Sequence, residues 1–152
     1  MDINRHYCTE TASKTAEVGQ NLALELAWRR QRRVGTRILC LYGDLGSGKT
    51  TFVQGFARGL GIKGRLLSPT FIIVRRYQIP LKNDFLFHID LYRVSIPEQM
   101  KNLGFSEIFS NPYTYILIEW AEKLENVPKK RIDIHFSVDA RQRHHITVKE
   151  CL

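Results

Sequence analysis

The feature of this sequence that most limits its possible folds is a glycine-rich segment at residues 43–50. It follows the pattern G-x-x-x-x-G-K-T. An apolar run at residues 37–42 precedes it, and a helix-forming segment at residues 50–60 follows it. A strand, a glycine-rich turn and a helix in this order are the context in which the pattern forms a phosphate-binding loop. The segment therefore predicts an α/β protein that binds a nucleotide.

Each residue type in the loop has a physical role in binding phosphate or magnesium. Glycines allow backbone N–H groups to wrap a phosphate in conformations that a Cβ atom would obstruct. Lys49 supplies a charge to the β- and γ-phosphates, and the hydroxyl of Thr50 is a ligand for magnesium. We expect the whole loop to contact the nucleotide: Gly43, Asp44, Leu45, Gly46, Ser47, Gly48, Lys49, Thr50 and Thr51.

Two further apolar runs, at residues 85–90 and 113–119, each end in a carboxylate. These carboxylates are Asp90 and Glu119. The carboxyl ends of parallel strands face the ligand crevice, so both side chains are candidates to reach a metal ion beside the loop. The alternative for either one alone is a solvated acid at the end of a strand.

The rest of the chain fits a single domain of 152 residues. Periodicity and turn residues predict the remaining elements: a helix at 14–30 with Ser13 as its N-cap, a strand at 71–79, a short helix at 97–109 with Pro97 first, and a half-exposed hairpin with a strand at 131–136 and a turn at 139–142.

Several motifs in this order resemble the TsaE family, small P-loop ATPases of bacterial tRNA threonylcarbamoyladenosine synthesis. The matching stretches are residues 41–51, Ser68-Pro-Thr-Phe71, His88-Ile-Asp-Leu-Tyr-Arg93, residues 97–104 and Ile118-Glu-Trp120. They span most of the chain. A phosphate-binding loop alone is generic, whereas the His-x-Asp-x-Tyr-Arg and Ile-Glu-Trp elements make the resemblance specific.

The resemblance implies a central, mainly parallel sheet flanked by helices, with a C-terminal antiparallel hairpin. It implies that ATP or ADP and Mg²⁺ are the cofactors and that TsaD and TsaB are the partners. It assigns catalysis to Lys49, Asp90 and Glu119, with Asp90 near the metal or the attacking water. Thr50 and Glu119 would bind the metal.

The same resemblance assigns further contacts to the nucleotide. Thr70 would belong to a switch loop that senses the γ-phosphate, Trp120 would lie near the nucleotide, and residues 11–15 would border the adenine. Two positions depart from the family pattern: Ala121 replaces a usual proline, and Gln142 replaces a glycine before Arg143.

The charge of the chain favours anionic partners. Lys and Arg number 23 against 15 Asp and Glu, which gives a formal net charge of +8. Five arginines between positions 29 and 37 would face tRNA phosphate, an acidic partner or, as we favour, solvent at a helix end. No RRM or KH signature accompanies them, so we expect tRNA to be contacted at most indirectly or weakly.

The remaining polar residues give weaker indications. A metal site from His135, His144 and His145 is disfavoured because neighbouring residues of a strand point to opposite faces. His88 could equally be a polar residue near the site or a core histidine whose hydrogen bonds are satisfied. Cys40 is most simply a small buried hydrophobic residue. Three widely spaced cysteines and short apolar runs lead us to expect a cytoplasmic, soluble protein without a signal peptide.

Three functions compete. The first is an ATPase subunit in tRNA modification, in which hydrolysis resets a partner enzyme. The second is a small-molecule kinase, against which the chain offers no evident acceptor-binding insertion or arginine-rich lid. The third is a basic RNA-binding module that holds a nucleotide only as a structural ligand, which steep salt dependence of tRNA binding would favour.

Overall fold

The computed structural model describes residues 3–31, 37–66, 74–95, 104–111 and 114–152. It has an α/β fold built on a mixed sheet with the strand order β1-β7-β6-β2-β5-β4-β3. The strands are β1 (Asn4–Thr9), β2 (Ile38–Tyr42), β3 (Val74–Gln78), β4 (Phe85–Asp90), β5 (Thr114–Glu119), β6 (Arg131–Val138) and β7 (His144–Cys151). The helices are α1 (Ala12–Gln31), α2 (Lys49–Gly59), α3 (Phe105–Ser110) and a 3₁₀ turn at Ala121–Lys123.

The centre of the sheet is parallel. β6, β2, β5 and β4 run in the same direction, whereas β3, β7 and β1 are antiparallel to their neighbours. All six residues of β5 are buried, as expected for a parallel strand covered on both faces. The predicted fold class, a mainly parallel core with a C-terminal antiparallel hairpin, is confirmed. The carboxyl ends of the four parallel strands consequently meet at one edge of the sheet.

Each face of the sheet carries its own apolar layer. Leu39 and Leu41 of β2 pack in the layer that includes α1 and α2. Cys40 belongs to the opposite layer, against which α3 packs. Successive side chains of a strand point to opposite faces, so one short apolar run serves both layers. Cys40 is fully buried, which confirms its assignment as a small core residue.

The N-terminal part of the chain differs from expectation. β1 was not foreseen, because it is an edge strand with mostly exposed side chains and no apolar alternation. α1 begins at Ala12, and the backbone N–H of Lys14 donates to Thr11 Oγ1 at 3.2 Å. The N-cap is therefore Thr11, and the expectation of Ser13 was wrong by two residues. Both residue types cap well, so type alone does not decide the position.

Two predicted elements are only partly described. Val74–Gln78 forms the described part of the strand expected at 71–79, and Phe105–Ser110 the described part of the helix expected at 97–109. Thr70, the Ser68-Pro-Thr-Phe71 motif and Pro97 lie outside the described residues. Within the described ranges, no helix is both long and apolar enough to cross a bilayer.

Three of the arginines between positions 29 and 37 form hydrogen bonds within the fold. Arg29 pairs with Glu150 of β7 at 3.0 Å, and both Nη atoms of Arg30 bond to Asp84 at 2.8 and 3.1 Å. Arg37 donates to the backbone oxygens of Asn111 and Thr114, at 2.6 and 3.2 Å. The expected solvated helix end is therefore wrong for these three arginines. Arg32 and Arg33 lie outside the described residues.

α1 and α2 approach each other at glycines. A Cβ atom on Gly55 would lie 1.8 Å from the backbone oxygen of Ala16, and one on Gly19 would lie 2.3 Å from that of Phe52. Contacts that short do not occur between real atoms, so the two backbones touch because these side chains are absent. The close contact fixes α2, and with it the loop at its N-terminus, against α1.

We predict that Gly55→Ala lowers the free energy of unfolding by about 1–3 kcal/mol, because the added methyl group forces the two helices apart. An exposed glycine in a helix would instead gain about 1 kcal/mol from the same change. Urea unfolding followed by circular dichroism measures the difference. Arg58→Ala, at an exposed site on the same helix, is the control and should stay within about 0.5 kcal/mol of the original protein. A Gly55→Ala protein at least as stable as the original would contradict the close contact.

Candidate functional site

The glycine-rich loop connects the carboxyl end of β2 to the first residue of α2. Gly43 has φ +147° and Gly48 has φ +108°, values that side-chain-bearing residues rarely adopt. A Cβ atom on Gly43 would also lie 2.7 Å from the backbone oxygen of Phe136. The strand–loop–helix context expected from the sequence is therefore present, and its glycines are required by conformation and by space.

Lys49 lies inside the loop rather than in solvent. Its side chain is buried, with only 5% of the residue exposed. Its ammonium group donates to the backbone oxygen of Gly43 and, at 3.0 Å, to that of Asp44. It also lies 4.2 Å from the centre of the Trp120 ring. Burial lowers the pKa of Lys49, whereas the nearby Glu119 carboxylate raises it.

The Glu119 carboxylate links the loop to the strand beside it. Its Oε1 accepts a hydrogen bond from the Thr50 hydroxyl at 3.1 Å. Its Oε2 lies 2.6 Å from Nε2 of His88. Glu119 and His88 are both almost fully buried, at 2% and 1% exposure. The carboxylate is thus held from two sides, by α2 and by β4.

Asp90 lies beside Glu119 because β4 and β5 pair in parallel with these two residues in register. Asp90 Oδ1 accepts the backbone N–H of Tyr92 at 2.9 Å. Burial raises the pKa of Asp90, and the charge of Glu119 adds to the rise, whereas the Tyr92 hydrogen bond opposes it. The two carboxylates predicted from strand ends are therefore brought together at the carboxyl edge of the sheet.

These groups border a cleft of about 440 Å³. Its lining comes from the loop and the start of α2, the ends of β4 and β5 with the residues that follow them, α1 and the C-terminal hairpin: Ala12, Thr15, Leu45, Gly46, Gly48, Lys49, Thr50, Thr51, Asp90, Tyr92, Glu119, Trp120 and His144. Ala12 and Thr15 fall in the segment expected to border the adenine. Gly43, Asp44 and Ser47 belong to the loop but do not line the cleft.

His144 is the lining residue that sequence reasoning missed. Its Nδ1 lies 2.8 Å from the backbone oxygen of Ser47. β7 is antiparallel to β6, so its start returns to the edge where β6 ends, beside the loop. His145 points to the other face, where it bonds to His6 and Asp139. Nothing in the spacing of the histidines indicates that one of them contacts the loop.

The turn that precedes His144 contains Gln142, one of the two departures from the family pattern. Gln142 has φ +62°, in the left-handed region that glycine occupies most easily. Arg143 Nε donates to Asp139 Oδ2 at 2.9 Å, which raises the pKa of Arg143. The Arg143 side chain therefore stabilises its own turn.

The oxygen donors of the site fit magnesium. Mg²⁺ prefers oxygen ligands and is commonly held by one or two protein groups together with water and phosphate oxygens. The Thr50 hydroxyl and Glu119 Oε1 are two such donors at hydrogen-bonding distance, with Asp90 next to them. In the described part of the chain, no group of three or more His, Cys, Asp or Glu side chains is arranged to hold a metal ion.

The mixed sheet of the described residues, with a glycine-rich phosphate-loop motif after β2 and strand-end carboxylates beside it, defines a P-loop α/β protein. A comparison with protein families matches residues 9–146 to the family described as "Threonylcarbamoyl adenosine biosynthesis protein TsaE". The chain therefore belongs to the TsaE family, as its motifs had indicated.

Individual relatives agree with this assignment. The chain is 35% identical to the tRNA threonylcarbamoyladenosine biosynthesis protein TsaE of Streptomyces coelicolor over 138 residues, 87% of each chain. It is 38% identical to that of Haemophilus influenzae over 104 residues, which cover 66% of this chain and 64% of the relative. The match to the Bacillus subtilis protein is 42% over 101 residues, 64% and 59% of the two chains. Less than two thirds of these last two relatives is thus covered.

A solved structure supports the same fold. The crystal structure of Bacillus subtilis YdiB superposes with a TM-score of 0.76 at 28% sequence identity. The match covers 100% of this chain and 88% of YdiB.

We predict that Asp90→Asn raises the free energy of unfolding at pH 8. The raised pKa means that the folded protein holds the Asp90 proton more tightly than the unfolded chain does. Ionised Asp90 therefore destabilises the fold above its raised pKa, and this effect disappears below its ordinary pKa of about 3.9. Asparagine keeps an oxygen for the Tyr92 N–H and removes the charge.

The measurement is urea unfolding at several pH values between 4 and 8. The gain from Asp90→Asn should shrink as the pH falls through the raised pKa. Asp44→Asn changes the net charge equally at an exposed position and serves as the control. A loss of stability at pH 8, or a gain that grows as the pH falls, would contradict the assignment.

Proposed function

We propose that this chain is a Mg²⁺-dependent ATPase that acts as a subunit in threonylcarbamoyladenosine modification of tRNA. The observation that carries the proposal is the convergence of Lys49, Thr50, Asp90 and Glu119 on one cleft beside the glycine-rich loop. Membership of the TsaE family supplies the pathway, because the relatives are named for it. Residues 1–152 would act as one P-loop ATPase domain in the cytoplasm.

The loop would hold the phosphates of ATP. Its backbone N–H groups and the N-terminus of α2 present positive potential to an anion. Lys49 would bind the β- and γ-phosphates, and its present hydrogen bonds keep the ammonium group within the loop. Thr15 and Ala12 on α1 and Trp120 after β5 would border the nucleoside. Thr70 would respond to the γ-phosphate.

Hydrolysis needs a nucleophilic water placed in line with the bond that breaks between the β- and γ-phosphates. Thr50 and Glu119 would hold magnesium, which when bound neutralises charge on the phosphate oxygens. Asp90 would orient the attacking water or act next to the metal. Release of ADP and phosphate completes a reaction in which no acceptor is phosphorylated.

The described chain offers little support for the kinase alternative. The cleft of about 440 Å³ is lined by the loop, the strand ends, α1 and the hairpin, and none of these elements is an inserted acceptor-binding segment. Hydrolysis would instead serve a partner, and the family points to the TsaD and TsaB proteins. Direct contact with tRNA would be weak or absent, since Arg29, Arg30 and Arg37 are engaged within the fold.

We predict that Lys49→Ala reduces ATP hydrolysis to background while the protein stays folded, because the developing charge on the phosphates loses its only lysine in the loop. Glu119→Gln should reduce turnover by about 100-fold or more and leave nucleotide binding within a few-fold, since the loop still holds phosphate. Phosphate release measures turnover, a fluorescent nucleotide measures binding, and circular dichroism measures folding. Lys82→Ala, at an exposed lysine between β3 and β4 and outside the cleft, is the control. A folded Lys49→Ala protein with full activity would refute the ATPase site.

We also predict slow hydrolysis by the isolated chain and a rise of at least several-fold when purified TsaB and TsaD are added. A switch segment that responds to the γ-phosphate couples nucleotide state to partner binding. Thr70→Ala should reduce the stimulation more than the basal rate. The test is steady-state phosphate release at fixed salt and magnesium. Two results together would contradict the role in tRNA modification without affecting the assignment of the ATP site. They are equal rates with and without the pair, and no co-elution of the chain with TsaB and TsaD in the presence of a non-hydrolysable ATP analogue.

A further inference from the structure

His88 is a buried histidine whose hydrogen-bonding capacity is used on one side only. Its Nε2 lies 2.6 Å from Glu119 Oε2. Its Nδ1 is also buried and has no hydrogen-bond partner among the described residues. The ring is 1% exposed. A core histidine kept only for stability would be expected to satisfy both nitrogens, since an unpaired buried polar atom is unfavourable.

The partner of Nε2 determines where the imidazole proton lies. A carboxylate oxygen only accepts hydrogen bonds, so Nε2 carries the proton and donates it to Glu119. A second proton on Nδ1 would leave a buried N–H group without an acceptor. The Nε2–H group is therefore directed at Oε2 of Glu119 and holds that oxygen.

The two oxygens of Glu119 consequently have different neighbours. Oε2 is occupied by His88, whereas Oε1 faces the hydroxyl of Thr50 at 3.1 Å. Fixing one oxygen fixes the rotation of the whole carboxylate group. Oε1 is then held in one direction, toward the cleft that the loop borders.

The position of His88 follows from the period of a strand. His88 and Asp90 are two residues apart on β4, so both side chains lie on the same face of the sheet. In the parallel pairing, His88 is opposite Leu117 and Asp90 is opposite Glu119. β4 thus places Asp90 beside Glu119 and also supplies His88, which forms a hydrogen bond with the Glu119 carboxylate.

We propose that His88 is a positioning residue that acts through Glu119, orienting Oε1 for the metal and keeping Oε2 from binding it. The proposal rests on the proposed function, in which Glu119 and Thr50 hold magnesium. Removal of a group that orients a metal-binding side chain typically lowers metal affinity or activity by about 10–100-fold. His88 touches neither nucleotide nor metal in this role.

Two substitutions distinguish the contribution of the His88–Glu119 hydrogen bond from that of the imidazole ring itself. In His88→Gln, the side-chain amide reaches the position of Nε2 and can donate to Glu119. In His88→Asn, the shorter amide reaches only the position of Nδ1, so Oε2 loses its donor. Leu86→Ala is the control for a loss of packing, because Leu86 is fully buried on the same face of β4, two residues from His88.

The measurements are nucleotide affinity with and without Mg²⁺, the Mg²⁺ concentration for half-maximal hydrolysis, and thermal unfolding. His88→Asn should raise the half-maximal Mg²⁺ concentration and lower kcat by about tenfold or more, with unchanged affinity for nucleotide in EDTA. His88→Gln should remain within about threefold of the original protein. Leu86→Ala should unfold at lower temperature with no change in Mg²⁺ dependence.

A further readout does not depend on activity. Long-range ¹H–¹⁵N correlation spectra of the protein without nucleotide should show a histidine ring with a proton on Nε2 whose signals are absent in His88→Gln. A His88 ring without a proton on Nε2 would overturn the proposal. Equal losses in His88→Gln and His88→Asn, or no loss in His88→Asn, would also overturn it. If the original protein fails to hydrolyse ATP, the proposed function fails, while the Mg²⁺ dependence of nucleotide binding and the spectra still decide the role of His88.

Discussion

The parallel pairing of β5 with β2 on one side and β4 on the other fixes the relative positions of the phosphate loop and the two carboxylates in the cleft. Leu41, next to the end of β2, and Asp90, the last residue of β4, are both in register with Glu119. A shift of one residue in either pairing would turn the side chains to the opposite face. Because all of β5 is buried, its apolar residues hold that register strongly. The geometry of the polar edge is therefore set by apolar packing elsewhere in the strand.

Burial of charge at this edge works against the stability that the core provides. Lys49, His88, Asp90 and Glu119 are each less than 10% exposed. Loss of water lowers the pKa of Lys49 and raises that of Asp90, and in each case a neighbouring group of the site partly opposes the shift. An arrangement made only for stability would not concentrate two carboxylates here. Such concentration of perturbed groups in a cleft is typical of functional sites.

The sequence predicted the parts of the site that depend on local pattern. The loop follows from its glycines and lysine, and the carboxylates of Asp90 and Glu119 follow from apolar runs that end in an acid. Sequence reasoning did not resolve the role of His88, because its partner lies 31 positions away on another strand. It missed β1 and His144, whose positions depend on antiparallel pairing at the sheet edge. The local sequence pattern does not indicate these contacts, because they depend on pairing between strands that are far apart in the sequence.

The loop is supported by both ends of the chain, although neither end contains a recognisable motif. His144 of β7 contacts the backbone oxygen of Ser47, and the Thr15 hydroxyl bonds to that of Thr9 of β1 at 2.6 Å. Through the glycine contact between α1 and α2, the N-terminal helix also fixes the direction of α2. A binding site needs side chains locked by the elements behind them. The terminal strands therefore belong to the site, because they hold α1 and the hairpin where they form its walls.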